Sequence, residues 1–219
     1  MIRAAIFDLD GTLLDSNPYW DRAPAAYLAG VGVKAEPGIG QTIFAMTLPE
    51  AVDYLRRTYG LVQTGQEITD GVNDMMKRFY LEQVPVKPGV SDLLDALEAR
   101  GMEMMVASVT DRALVEAVLA RHGLLDRFAG VITTEEVGAG KQEPDIYLRA
   151  AERLGCEPRE VLVFEDAIHA IRTAKKAGFP VVGVFDDASK EVWGEIKALS
   201  DWSLSDLSDL TAVLAAIDK

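Results

Sequence analysis

The stretch Arg3-Ala4-Ala5-Ile6-Phe7-Asp8-Leu9-Asp10-Gly11-Thr12 opens the chain with a short apolar run that ends in two carboxylates one residue apart. Read as a buried strand, the run sends residues i and i+2 to the same side, so Asp8 and Asp10 leave its tip together. Gly11 then gives the backbone freedom to turn at once. Two carboxylates held this close raise each other's pKa unless a cation shares them, and a hard ion such as Mg2+ is the natural tenant. The stretch alone also reads as an Asp-Gly hairpin turn with two solvated acids. The rest of the chain decides between the two.

Four further apolar, β-branched runs lie at residues 104–107, 131–133, 161–164 and 181–185. Helix-period segments alternate with them. Val90, Leu93, Leu94 and Leu97 recur at helical spacing, as do Leu114, Val115, Val118 and Leu119. Ile146, Tyr147, Ala150 and Leu154 repeat the pattern, then Ile168, Ile171 and Ala174, and Gly101, Gly123, Gly155 and Gly178 close helices. Strands alternating with helices predict an α/β fold, a doubly wound parallel sheet whose ligands bind at the carboxyl ends of the strands. Asp8 and Asp10 fall at that edge.

One region breaks the rhythm. Between the first strand and the helix at Val90, the chain has helical periodicity and no convincing strand. Trp20, Ala23 and Tyr27 form one stripe, Val52, Leu55 and Tyr59 another, and Ile68, Val72, Met75 and Phe79 a third. Turn-prone joins flank it, Ser16-Asn17-Pro18 before and Pro85-Val86-Lys87-Pro88-Gly89 after. The expected division is a core of residues 1–14 and 86–219 with an inserted helical cap at 15–85. Such a cap would lie over the strand ends and suits a lid. The acidic stretch 201–209 is expected to contribute a last helix.

Composition narrows the partners. The 219 residues are 49% apolar and carry a formal net charge of −13. That charge argues against nucleic acid or an anionic membrane, and any anionic substrate must be drawn by a local cation or by backbone N–H groups. Cys156 is the single cysteine, which fits a reducing, cytoplasmic setting, and neither a signal-length nor a membrane-spanning apolar stretch is present.

Three more features fall where strands should end: Ser108 after the run at 104–107, Lys141 on Gly138-Ala139-Gly140-Lys141, and Glu165-Asp166 after the run at 161–164. Each admits a plain alternative: a helix N-cap for Ser108, a solvated lysine, and dipole partners for the next helix. Together they place two acid pairs, a hydroxyl and a lysine on one edge of one sheet.

In order and wording these segments resemble the haloacid dehalogenase superfamily of phosphohydrolases. Asp8-Leu9-Asp10-Gly11-Thr12 matches the first motif of that family and Ser108 the second; Lys141 with Pro144-Asp145 matches the third, and Phe164-Glu165-Asp166 the fourth. The resemblance spans the chain and is closest to the helical-cap branch of β-phosphoglucomutase and phosphoglycolate phosphatase. Gln142 and Ala167-Ile168-His169 depart from the usual wording and remove no catalytic group.

The resemblance implies a Mg2+-dependent phosphatase for a small phosphorylated metabolite. Asp8 would be the nucleophile that becomes an aspartyl-phosphate, and Asp10 the general acid and base. Asp8, Asp10 through its carbonyl, Asp166 and the nearby Glu165 would serve the metal. Ser108 and Lys141 would hold phosphoryl oxygens, with the loop around Leu9, Gly11, Thr12 and Val109 completing the cradle. Trp20, Arg22, Met46 and Thr47 are cap residues for substrate contact, and Asp111 and Arg112 are expected to face the cap.

Other signals weigh less. Gly30-Val31-Gly32-Val33-Lys34-Ala35 formally fits a dinucleotide fingerprint but follows a helix rather than a strand. Gly140-Lys141 is not a P-loop, since Glu135 stands where its first glycine belongs. His122 reads as a helix cap and His169 as structural. The rival within the branch is a sugar-phosphate mutase, but those enzymes usually carry a histidine where Trp20 stands, four residues past Ser16. A non-catalytic phosphate-binding module is a third reading, and Asp10 argues against it because such a module needs no general acid.

Overall fold

The opening apolar run is a strand, β1 (Ala4–Phe7), buried along its whole length. A computed structural model describes residues 1–44, 46 and 48–218. Within it the chain divides into two compact units, Met1–Asp15 with everything from Pro85 onward, and Ser16–Val84.

The helical unit contains α1 (Asn17–Gly30), α2 (Ile39–Phe44), α3 (Leu48–Tyr59) and α4 (Gly65–Glu82). Thr64 and Glu67 close a reciprocal capping box that starts α4, a Thr-x-x-Glu signal legible in the sequence. Tyr27, Leu28, Ile39, Leu55, Leu61 and Ile68 form the centre of this unit's own core.

The other unit continues with α5 (Val90–Glu98), β2 (Glu103–Ser108), α6 (Arg112–Arg121), β3 (Gly130–Thr133), α7 (Thr134–Val137) and α8 (Asp145–Arg153). It ends with β4 (Val161–Glu165), α9 (Ile168–Lys176), β5 (Val181–Val184), α10 (Trp193–Leu199), β6 (Trp202–Leu204) and α11 (Thr211–Ile217). The six strands form one sheet in the order β3-β2-β1-β4-β5-β6, and every pairing is parallel. This is the doubly wound α/β fold expected from the alternation of periodicities. Ala4 and Ile6 join Ile146, Tyr147, Ala150 and Ile171 in a core cluster on one side of the sheet. Phe7 instead stacks on Phe164 at 4.5 Å between ring centres, as the two-residue period of a strand requires.

The stretch 201–209 corrects the sequence reading. Instead of beginning a helix, Trp202–Leu204 adds a sixth strand beside β5, and the last helix starts only at Thr211. The amide of Asp201 donates to Val181 O at 2.9 Å and that of Phe185 to Leu204 O at 2.9 Å. The open edge of β5 therefore satisfies backbone groups that a helix would have paired internally.

The chain reverses its direction across the sheet at β1, which lies between β2 and β4. Beyond the carboxyl ends of strands at such a reversal, loops diverge and leave a crevice.

Candidate active site

Register brings the acids together. Phe7 pairs with Phe164 across β1 and β4 and with Val106 across β1 and β2. The residues that follow, Asp8 and Glu165, therefore emerge side by side, and the Asp8 amide extends the pairing by donating to Phe164 O at 3.0 Å. Asp8, Glu165 and Asp166 are all buried, and each offers a carboxylate oxygen within 4.8 Å of the others.

Lys141 reaches this cluster from the loop after α7. Its buried ammonium donates to Asp8 Oδ1 and to Glu165 Oε1. The Tyr147 hydroxyl, on α8, donates to the same Glu165 oxygen at 2.9 Å. Thr12 Oγ1 donates to Asp166 Oδ1 at 3.2 Å.

The electrostatics follow from burial. Desolvation pushes Asp8 up to about 8; Lys141 pulls the other way, while Glu165 and Asp10 add to the rise. Burial, then Asp8, Glu165 and Asp186, also raise Asp166 well above the usual carboxylate range. For Lys141 burial opposes the charge, yet Asp8 and Glu165 outweigh it and hold the ammonium protonated. Burial and Glu165 raise the Tyr147 phenol well above its ordinary value, so it remains a donor. Three ionised carboxylates against one ammonium would leave two negative charges in a buried space. A divalent cation cancels such an excess, and an all-oxygen donor set fits a hard ion such as Mg2+.

The Asp10 side chain, whose charge adds to the rise at Asp8, has a partner of its own. Its Oδ2 accepts a hydrogen bond from Thr110 Oγ1 at 2.8 Å. Ser108, buried at the end of β2, accepts from the Thr110 amide at 3.0 Å, while Asp111 supplies the N-cap of α6. Val109 between them is exposed. Gly11 is left-handed, with φ 83°, and its amide donates to Leu14 O at 2.9 Å. In this arrangement the Gly11 N–H is engaged by the turn rather than presented to an anion. Leu9 is buried, and its carbonyl accepts the amides of Leu13 and Leu14.

The remaining sequence-derived positions distribute as follows. Trp20 lies on α1, half-buried, with Nε1 donating to the Tyr80 hydroxyl at 3.2 Å. Arg22 stacks over the rings of Tyr19 and Phe79 in the same unit. Met46 is half-buried, and Thr47 lies outside the described residues. Arg112 is bound to Glu116, Glu136 and the Val131 carbonyl. His122 forms the C-cap of α6, and His169 is exposed on α9.

Sequence reasoning missed four polar residues around the site. Thr110 could have been noticed, because it shares the strand parity of Ser108. Tyr147 was legible only as part of an apolar stripe, although a buried phenol demands a partner for its hydroxyl. Lys87 and Asp186 carried no local signal; they form an ion pair at 2.9 Å beside the Asp10–Gly11 turn.

A parallel α/β sheet with an acid pair at the tip of its central strand, a buried lysine and a second acid pair beside it defines a class. The model of the haloacid dehalogenase-like hydrolase family matches residues 2–178, and the chain belongs to that family as a phosphohydrolase. Among its relatives, hexitol phosphatase B of Escherichia coli strain K12 is 30% identical over 216 residues, covering 96% of this chain and 95% of that protein. A phosphorylated carbohydrates phosphatase of Thermotoga maritima is 26% identical over 200 residues, with 91% and 88% covered. The crystal structure of a candidate β-phosphoglucomutase from Thermotoga maritima superposes with a TM-score of 0.85 at 24% identity. It covers 99% of this chain and all of that one, and the likeness is one of fold.

Proposed function

We propose that the chain is a phosphatase for a small phosphorylated sugar or sugar alcohol and works through an aspartyl-phosphate on Asp8. The observation that carries this reading is the buried contact of Lys141 with Asp8 and Glu165, beside Asp166. An anionic nucleophile must approach an anionic phosphate, and this arrangement places one buried ammonium and a carboxylate set suited to a cation at that point. The names of the relatives, which are phosphatases of hexitols and of phosphorylated carbohydrates, support the substrate class.

In the proposed mechanism an Asp8 oxygen attacks phosphorus, and the bond from phosphorus to the substrate oxygen breaks. Asp10 gives its proton to the departing alkoxide. Asp10, now ionised, takes a proton from water, whose oxygen attacks the phosphorus of the aspartyl-phosphate. The bond from Asp8 to phosphorus breaks, which releases inorganic phosphate and restores both side chains. Lys141 stabilises the phosphoryl oxygens as a point charge, and Ser108 supplies a hydroxyl to them. Asp8, Asp166 and the Asp10 carbonyl, with Glu165 beside them, would hold Mg2+. When bound, that ion offsets the charge between nucleophile and phosphate.

The test is Asp8→Asn. We expect turnover of phosphate monoesters to be abolished and no acid-stable protein-bound phosphate to be trapped, because an amide is a far poorer nucleophile. Hydrolysis at near wild-type rate would overturn the reading. Product analysis with a hexose 1-phosphate and its bisphosphate separates hydrolysis from mutase chemistry. An indole at position 20, with its N–H donated to Tyr80, offers no proton relay for the latter.

A further inference from the structure

Lys87 lies on the segment by which the chain returns from the helical unit. Its backbone is pinned to the acid loop: the Lys87 amide donates to Leu13 O at 2.9 Å, and the Asp15 amide donates to Pro85 O at 3.0 Å. The two crossing segments thus form an antiparallel bridge, Leu14 to Val86. The Lys87 ammonium has three protons and places all three. It donates to Gly11 O at 2.7 Å, to Phe185 O at 2.6 Å and to Asp186 Oδ2 at 2.9 Å. Asp186 is buried, and its other oxygen accepts the Ala188 amide at 2.9 Å. The Lys87 and Asp186 side chains are 14% and 4% exposed, and neither transfers a proton or holds the phosphoryl group in the proposed chemistry.

Gly11 is the point on which this assembly acts. Its left-handed backbone is intrinsically free to rotate, yet its N–H is held by Leu14 and its C=O by Lys87. Asp10 is the preceding residue, so rotation at Gly11 would move the carboxylate that Thr110 grips. We infer that Lys87, charge-balanced by Asp186, is a positioning residue that locks the Gly11 peptide and so holds Asp10 in line for proton transfer.

The inference rests on the reading of Asp10 as general acid, and its test separates the two. Lys87→Met keeps an unbranched side chain of nearly the same length and removes the ammonium. In the full chain with Mg2+, we expect kcat on an alkyl phosphate to fall about tenfold to a hundredfold, the scale of a misplaced catalytic group. KM should stay within about twofold, and the loss should be much smaller for 4-nitrophenyl phosphate, whose leaving group needs little protonation. Asp10→Asn should show the same dependence on leaving group, and adding Lys87→Met to it should cost nothing more. Asp186→Asn, which keeps an acceptor for Lys87, should give a weaker form of the same pattern and serves if Lys87→Met fails to fold. If Asp10→Asn discriminates between leaving groups but the folded Lys87 or Asp186 variant loses activity equally on both esters, the positioning role is overturned. If Asp10→Asn itself is indifferent to the leaving group, the acid–base reading fails, and the inference with it.

Discussion

Thr110 gives its hydroxyl proton to Asp10, while its amide donates to the Ser108 hydroxyl. One residue thereby ties the proposed acid to the proposed phosphate-holding serine. A hydrogen bond contributes about 0.5–1.5 kcal/mol, and about 1.5–3 kcal/mol to a group ionised as Asp10 is between its two proton transfers; only the part that differs in the transition state affects rate. Thr110→Val is isosteric and removes the donor. We expect kcat on an alkyl phosphate to fall roughly tenfold, since the share felt in the transition state is smaller than the whole bond. The melting temperature should change little. A variant with unchanged kcat would show that the bond only stores Asp10 between turnovers.

At the scale of elements, α4 approaches α1 closely enough that a side chain at Gly71 has no room. A Cβ there would lie 2.2 Å from the ring of Tyr27. Replacing a helical glycine by alanine ordinarily stabilises by about 1 kcal/mol, whereas overpacking a core costs about 1–3 kcal/mol. Tyr27 is buried in the helical unit's core and its ring is rigid, so the clash should win. Gly71→Ala is expected to lower the melting temperature, and a rise would mean that the ring yields. On α1 itself Trp20 packs edge-on to Tyr80, with ring centres 6.4 Å apart. Being only half-buried, it should lose less on truncation than the roughly 3–5 kcal/mol of a core aromatic. As a proposed substrate contact, Trp20→Ala should change the ranking of phosphate esters by kcat/KM while the aspartyl-phosphate still forms. A large melting shift with an unchanged ranking would assign Trp20 to packing alone.

For the whole molecule, the acid cluster links stability to pH and to metal. Asp8 and Asp166 hold protons more tightly folded than unfolded, chiefly because of burial. Their contribution is fully present below the unfolded pKa of an aspartate and is lost as pH rises through the folded value, about 8 for Asp8. Glu98, held low by its bond from Arg127, titrates below that window. In chelator, the protein should therefore melt lower at about pH 8 than at about pH 5.5. Mg2+ should raise the melting temperature more at the higher pH, because it binds the ionised acids. Equal stabilisation at both values would show that the cation meets other groups. With a net charge of −13, the molecule as a whole repels an anionic substrate, so the attraction has to come from Lys141 and a bound cation.

Some of this was a property of single segments. The apolar run before Asp8, the four helical stripes beyond residue 90 and the glycines that end them each carry their own period, and a period survives translation into a strand or a helix without help from elsewhere. The parallel sheet followed from their alternation, and the acid pair with its glycine was legible in ten residues. Trp202–Leu204 was not, because three residues among serines and acids become a strand only when the edge of β5 offers them hydrogen bonds. The same holds for the groups that surround the acids. Thr110 meets Asp10 across 100 positions, Lys87 meets Asp186 across 99, and Lys141 meets Asp8 across 133. Such pairs are set by the order of the strands, which brings distant loops to one edge. The sequence by itself determined the strands and helices that carry their own period and which acids stand at a strand tip, since both are local. Only the tertiary structure decided which hydroxyl, phenol and ammonium face those acids, since a hydrogen bond requires two groups to be brought within about 3 Å whatever their separation along the chain.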